Sequence, residues 1–94
     1  SAAKGRLERS LLHAREGVAI DPVSVSAQVL LIDVLEQLGY AQAVDGLGDL
    51  ARANYAEALG IVTTLDLAAD SSLSATKKRL EEGLKILGMK PPGV

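Results

Sequence analysis

Apolar residues recur along this chain at helical rather than alternating spacing, and they divide it into amphipathic segments. The most apolar stretch runs from Asp21 to Gly39, DPVSVSAQVLLIDVLEQLG. Asp21 fits an N-cap, Pro22 fits the first helical position, and Gly39 suits a left-handed C-terminal stop. The spacing predicts a helix over 22–38 with a core stripe of Ala27, Leu31, Val34, Leu35 and Leu38. Val25, Val29 and Ile32 form a second seam on the same helix, to which Tyr40 can be added. Asp33 falls on the arc of Ser26 and Gln37, which reads as solvated.

Three further helices are expected. Over about 3–16, Leu7, Leu11, Leu12 and Ala14 mark one side, with Gly17 as the stop. Over 49–68, capped by Asp49, the stripe is Leu50, Ala51, Ala58, Ile61, Val62 and Leu65. Ile61-Val62-Thr63-Thr64 is β-branched and is the place where an extended segment competes with helix. No second strand accompanies it, so helix is the reading. Over 73–87, Leu73, Leu80, Leu84 and Leu87 share a side, and the loop Asp70–Ser74 precedes them. Gly88 ends that helix and Pro91-Pro92 prevents its resumption. A short helix, 40–45, precedes a Gly46–Gly48 bend. Tyr40-Ala-Gln-Ala-Val44 is echoed fifteen residues later by Tyr55-Ala-Glu-Ala-Leu59. That distance is too short for a repeat module and reads as shared helical patterning. The expected fold is all-α, a single-domain bundle of four to five helices with the helix about 22–38 at its centre. Residues 1–2 and 90–94 read as flexible.

Composition narrows the function. With 94 residues, 48% apolar, the chain carries two Tyr but no Phe or Trp, so its core must be aliphatic. Aliphatic faces suit helix–helix packing better than an aromatic-lined pocket. The mean hydropathy of +0.21 is high for so small a domain and implies apolar surface that another chain covers. The absence of cysteine removes disulfides and thiolate chemistry. No apolar run reaches membrane-spanning length and no signal peptide is visible, which makes the cytoplasm the expected compartment. Residues 1–16 carry four Lys/Arg against two Glu, 17–73 carry Arg52 against eight acids, and 74–94 carry five Lys/Arg against two Glu. The ends are basic and the middle acidic, and the net charge of −2 argues against nucleic acid as the default partner.

Candidate chemistry is sparse. His13 is the single histidine. A phosphotransfer helix pairs its histidine with Lys at +3 and Gly at +4; Gly17 fits, but Glu16 stands at +3 and would repel a phosphoryl group. Asp45 and Asp49 flank the glycine bend and are explained by turn formation and capping. No residue cluster has metal-ligand spacing, and Gly46-Leu47-Gly48 lacks the lysine and third glycine of a phosphate loop. Neither a cofactor nor a metal is expected, and the chain reads as non-enzymatic.

Two local resemblances point to partners. Gly46-Leu47-Gly48, Arg52, Asn54, Gly60-Ile61, Ser72-Leu73-Ser74 and Leu87-Gly88-Met89 resemble helix-hairpin-helix domains, in particular the C-terminal domain of the bacterial RNA polymerase alpha subunit. That resemblance implies nucleic-acid contacts from Arg52, Asn54, Lys77 and Lys78. The family's Gly-Lys pair is absent and the Arg–Asn spacing is one residue short. Asn54-Tyr55-Ala56-Glu57-Ala58-Leu59 resembles the second helix of a tetratricopeptide repeat, without the 34-residue period. The expectation carried forward is an interaction or assembly module, binding a protein partner or a second copy through Val25, Val29, Ile32 and Tyr40. The alternatives are a nucleic-acid domain and a His13 phosphotransfer domain.

Overall fold

The computed structural model describes residues 2–65 and 71–88. These form four helices: α1 (Ala2–Ile20), α2 (Val25–Val44), α3 (Gly48–Leu65) and α4 (Ser71–Gly88). The architecture is all-α, as the periodicity predicts, with four helices rather than five. The tail 90–94 and the predicted end of the third helix at 66–68 lie outside the described residues.

The element boundaries show which local signals prevailed. α1 runs through Gly17 to Ile20, so that glycine is no stop. Asp21 and Pro22 do not cap α2. They lie in the connecting turn, where the Ser24 N–H donates to the Asp21 carbonyl at 3.1 Å. Ser24 is the cap instead, its Oγ accepting from the Ala27 N–H at 3.2 Å. α2 then continues through Gly39, absorbing the short helix expected over 40–45. Its stop is Gly46, at φ +80. There the Gly46 N–H donates to the Ala43 carbonyl and the Leu47 N–H to the Gln42 carbonyl, at 3.1 and 2.8 Å. This paired pattern is a Schellman motif, and its left-handed residue is where the backbone conformation favours glycine. The β-branched run 61–64 is helical. The hydroxyls of Thr63 and Thr64 donate back to the carbonyls of Leu59 and Gly60, at 2.8 and 3.1 Å, which lets threonine sit in a helix.

α2 and α3 form the largest interface, α1 lies mainly against α2, and α4 mainly against α3. The centre is thus the α2–α3 pair and not one helix. The smallest principal extent of the Cα trace is 16 Å. Helix axes pack about 8–10 Å apart, so this thickness corresponds to two layers, too few to surround α2 on every side.

The core consists of Ala14 from α1, Leu31, Ile32, Val34, Leu35 and Leu38 from α2, Ala51, Tyr55, Ala58 and Val62 from α3, and Leu73 and Leu80 from α4. Leu12 and Leu50, expected on inner stripes, are exposed. Each follows or precedes a core-facing neighbour, and consecutive helical residues point about 100° apart. The one buried polar side chain among the described residues, Gln42, accepts from the Asn54 amide nitrogen at 2.7 Å across the α2–α3 interface.

Candidate interaction surface

α2 has two apolar arcs. The inner arc holds Leu31, Val34, Leu35 and Leu38, all buried. The outer arc holds Val29, Leu30, Asp33, Gln37, Tyr40 and Val44, all exposed. Ile32 faces inward at 2% exposure, so it belongs to the core and not to the expected contact seam. Val25 and Val29 are 52% and 39% exposed. Tyr40 is 67% exposed but lies eleven positions beyond Val29, some 16 Å along the helix at about 1.5 Å per residue. The four seam residues are therefore not one contiguous patch. Val25 and Val29 mark the start of an outer stripe and Tyr40 its far end. Between them stands Asp33, whose carboxylate accepts from the Gln37 amide nitrogen at 3.1 Å.

Two grooves flank Tyr40, and both have Tyr40 and Tyr55 in their walls. The first, of about 580 Å³, lies between Leu7 of α1 and the 36–45 stretch of α2, and is edged by Glu36 and Asp45. The second, of about 650 Å³, lies between Tyr40 and Ala43 of α2 and the outer face of α4, where Lys78, Arg79, Glu82 and Ile86 line it.

Tyr55 forms the shared floor and is itself held between two glycines. A Cβ at Gly39 would stand 2.9 Å from its ring, and one at Gly83 would stand 3.1 Å from the opposite edge. Only glycine on α2 and α4 lets a ring on α3 come this close, which explains why Gly39 sits inside a helix that does not end there. Burial, then the Glu36 carboxylate, then the Tyr40 phenol hold the Tyr55 hydroxyl above the ordinary tyrosine range.

Ion pairs tie the outer helices to the central pair. Arg79 of α4 clasps Glu36 of α2 through two hydrogen bonds, at 2.9 and 3.2 Å. Its guanidinium is held above its ordinary range by that hydrogen bonding and by the Glu36 charge. Arg15 of α1 clasps Glu57 of α3 in the same two-pronged way, which lowers the Glu57 carboxyl. Lys4 pairs with Asp45 at 3.4 Å.

The residues implied by the helix-hairpin-helix resemblance do not converge. Arg52 pairs with Asp49 one turn away, and Asn54 is engaged by Gln42. Lys77 and Lys78 are on α4, and of these Lys78 is exposed in the second groove. His13 is exposed on α1. No group of three or more His, Cys, Asp or Glu among the described residues could hold a metal ion, and no described helix is long and apolar enough to cross a membrane.

Val44, Leu30, Leu47 and Ile86 are exposed apolar residues that the sequence reading did not place on a surface. Val44 was detectable, being four positions after Tyr40 on a continuous helix. What the expected break at Gly39 separates is this pair from Val25 and Val29, which α2 joins in one continuous helix. No family model, curated protein or solved structure matches this chain.

Proposed function

We propose that this chain is a non-catalytic helical interaction module that engages another polypeptide through the outer arc of α2 and the grooves beside it. One observation carries the reading. The helix that fills the core with one arc presents Val25, Val29, Tyr40 and Val44 on the opposite side, all exposed. Isolated exposed aliphatic residues are ordinary on any surface. A stripe of them along one helix, with a large aromatic standing between two apolar grooves, has the composition of an interface core. Helix-in-groove docking is the mode that such a surface fits.

Nothing in the arrangement favours a nucleic-acid reading over this one, since Arg52 and Asn54 already have partners inside the chain.

The test places a photo-reactive residue at position 40, with position 63 on α3 as the exposed control, in a lysate of the source cells. A discrete protein adduct from position 40 and none from position 63 is the expected result. No adduct, or the same adducts from both positions, overturns the reading. Val29→Lys and Tyr40→Lys are expected to keep full helicity by circular dichroism, because neither side chain is core.

A further inference from the structure

We propose that the face formed by α2 and α4 closes on a second copy of this chain, as a two-fold pair in which each Tyr40 enters the other copy's groove over Gly83 and each Asp33 meets the other copy's Lys78. This rests on the interaction-module reading and names its partner.

α2 and α4 run side by side in the same sense. Glu36 meets Arg79, and seven residues further along each helix Ala43 and Ile86 line the same groove. Positions 43 apart in sequence therefore stand at the same height. A two-fold axis lying along the groove keeps height and exchanges the walls, so α2 of one copy comes over α4 of the other. At the height of Tyr40 the facing α4 position is Gly83, which lines the groove where the Tyr55 ring forms its floor. An exposed aromatic ridge and an apolar stretch of groove floor thus coincide under the operation. Asp33 and Lys78 differ by two positions in that register, about 3 Å along the axis.

Charge agrees with register. The only charged residues of α2 are Asp33 and Glu36, both acidic. α4 carries Lys77, Lys78, Arg79 and Lys85 against Glu81 and Glu82. Over their whole lengths α2 is acidic and α4 net basic, and Glu36–Arg79 shows within one copy the pairing that the two helices make. Asp33 and Lys78 are both exposed, and among the described residues neither has an opposite charge in an ion pair. A surface with both halves of a complementary pair is self-complementary, the condition for an isologous dimer.

Sedimentation equilibrium on the full chain tests this with four samples: the parent, Asp33→Lys, Lys78→Asp, and an equimolar mixture of the two variants. The parent is expected to dimerise. Each variant alone brings like charges together at both symmetric contacts and should weaken association about tenfold or more. In the mixture both contacts are again between opposite charges, so the heterodimer should recover the parent's affinity. Circular dichroism checks that each variant keeps its helicity. A parent monomeric up to about millimolar concentration, the weak end of measurable affinity, overturns the proposal, as does a mixture no tighter than its components. If the parent is monomeric while position 40 still cross-links to a different protein, the second-copy proposal falls and the interaction reading stands. If it is monomeric and position 40 captures nothing, both fall.

Discussion

Tyr40 and Tyr55 begin two nearly identical pentapeptides, YAQAV and YAEAL, yet the first is 67% exposed and the second 8%. Each occupies an α-helix, on α2 and α3 respectively, so local conformation does not separate them. What separates them is what lies opposite. Tyr55 faces Gly39 and Gly83, which let two helices close on its ring. Tyr40 stands on the side of α2 that the two-layered arrangement leaves uncovered. The same side chain is thus a core element in one setting and a ridge on an open face in the other. Aromatic residues at such ridges are those that dominate binding energy when a partner buries them.

Truncation is the largest lever on that contrast. Tyr55→Ala should cost about 3–5 kcal/mol, the range for deleting a buried aromatic, and Tyr40→Ala under about 0.5 kcal/mol in the isolated monomer. Urea denaturation measures both. Equal losses would erase the distinction between core and ridge.

Second come the glycines. Gly39→Ala forces a methyl against the Tyr55 ring and should destabilise by about 1–3 kcal/mol despite alanine's better helix propensity. Gly60, also helical, has nothing within 4 Å of its missing Cβ, so Gly60→Ala should stabilise by about 0.4–1 kcal/mol. Opposite signs at two mid-helix glycines distinguish a glycine kept for close approach from one that is merely tolerated.

The polar bond across the α2–α3 interface comes next. Asn54→Ala leaves the buried Gln42 amide oxygen without its donor, at a cost of about 1–3 kcal/mol. Gln37→Ala, which breaks an exposed bond to Asp33, should cost under about 0.5 kcal/mol. Thermal unfolding of the two variants side by side checks the difference.

Alkaline and acid titrations provide the smallest effects. The Tyr55 hydroxyl titrates higher in the folded chain than the ordinary value of 10.0. Its contribution is therefore complete below that pH and is lost as pH rises through the folded value, a loss that Tyr55→Phe should abolish. Glu57 is shifted the other way, below its ordinary 4.5, first by its hydrogen bonds from Arg15. That contribution is present above 4.5 and fades as pH falls through the folded value. Because the pair is substantially solvent-exposed, the effect should be only about 0.2–1 kcal/mol, measured as the difference between the parent and Arg15→Ala across the acid limb.

Much of this fold was legible in the order of residues. The 3.6-residue period set the helical class, and it put Leu31, Val34, Leu35 and Leu38 on one buried arc because a single stripe repeats at a fixed angle. Leu73 and Leu80 followed from the same rule on α4. Helix ends were less legible. Gly39 has the composition of a stop and acts as a contact, whereas Gly46 is the stop, since the phrase around a glycine does not reveal whether its missing Cβ serves φ or packing. The candidate surface was half legible. Val25, Val29 and Ile32 form one seam on paper, but Ile32 turns inward because a neighbouring helix lies over that edge of α2.

The chain by itself determined that it would be helical, that its core would be mainly aliphatic, with Tyr55 the aromatic exception, and that α2 would have more apolar surface than one stripe needs. Those are consequences of period and composition, which are local or additive. Tertiary structure alone decided which tyrosine is floor and which is ridge, which glycine bends the backbone and which admits a ring, and where Asp33 stands relative to Lys78. These depend on distances between residues remote in sequence, and such distances exist only once four helices have chosen their neighbours.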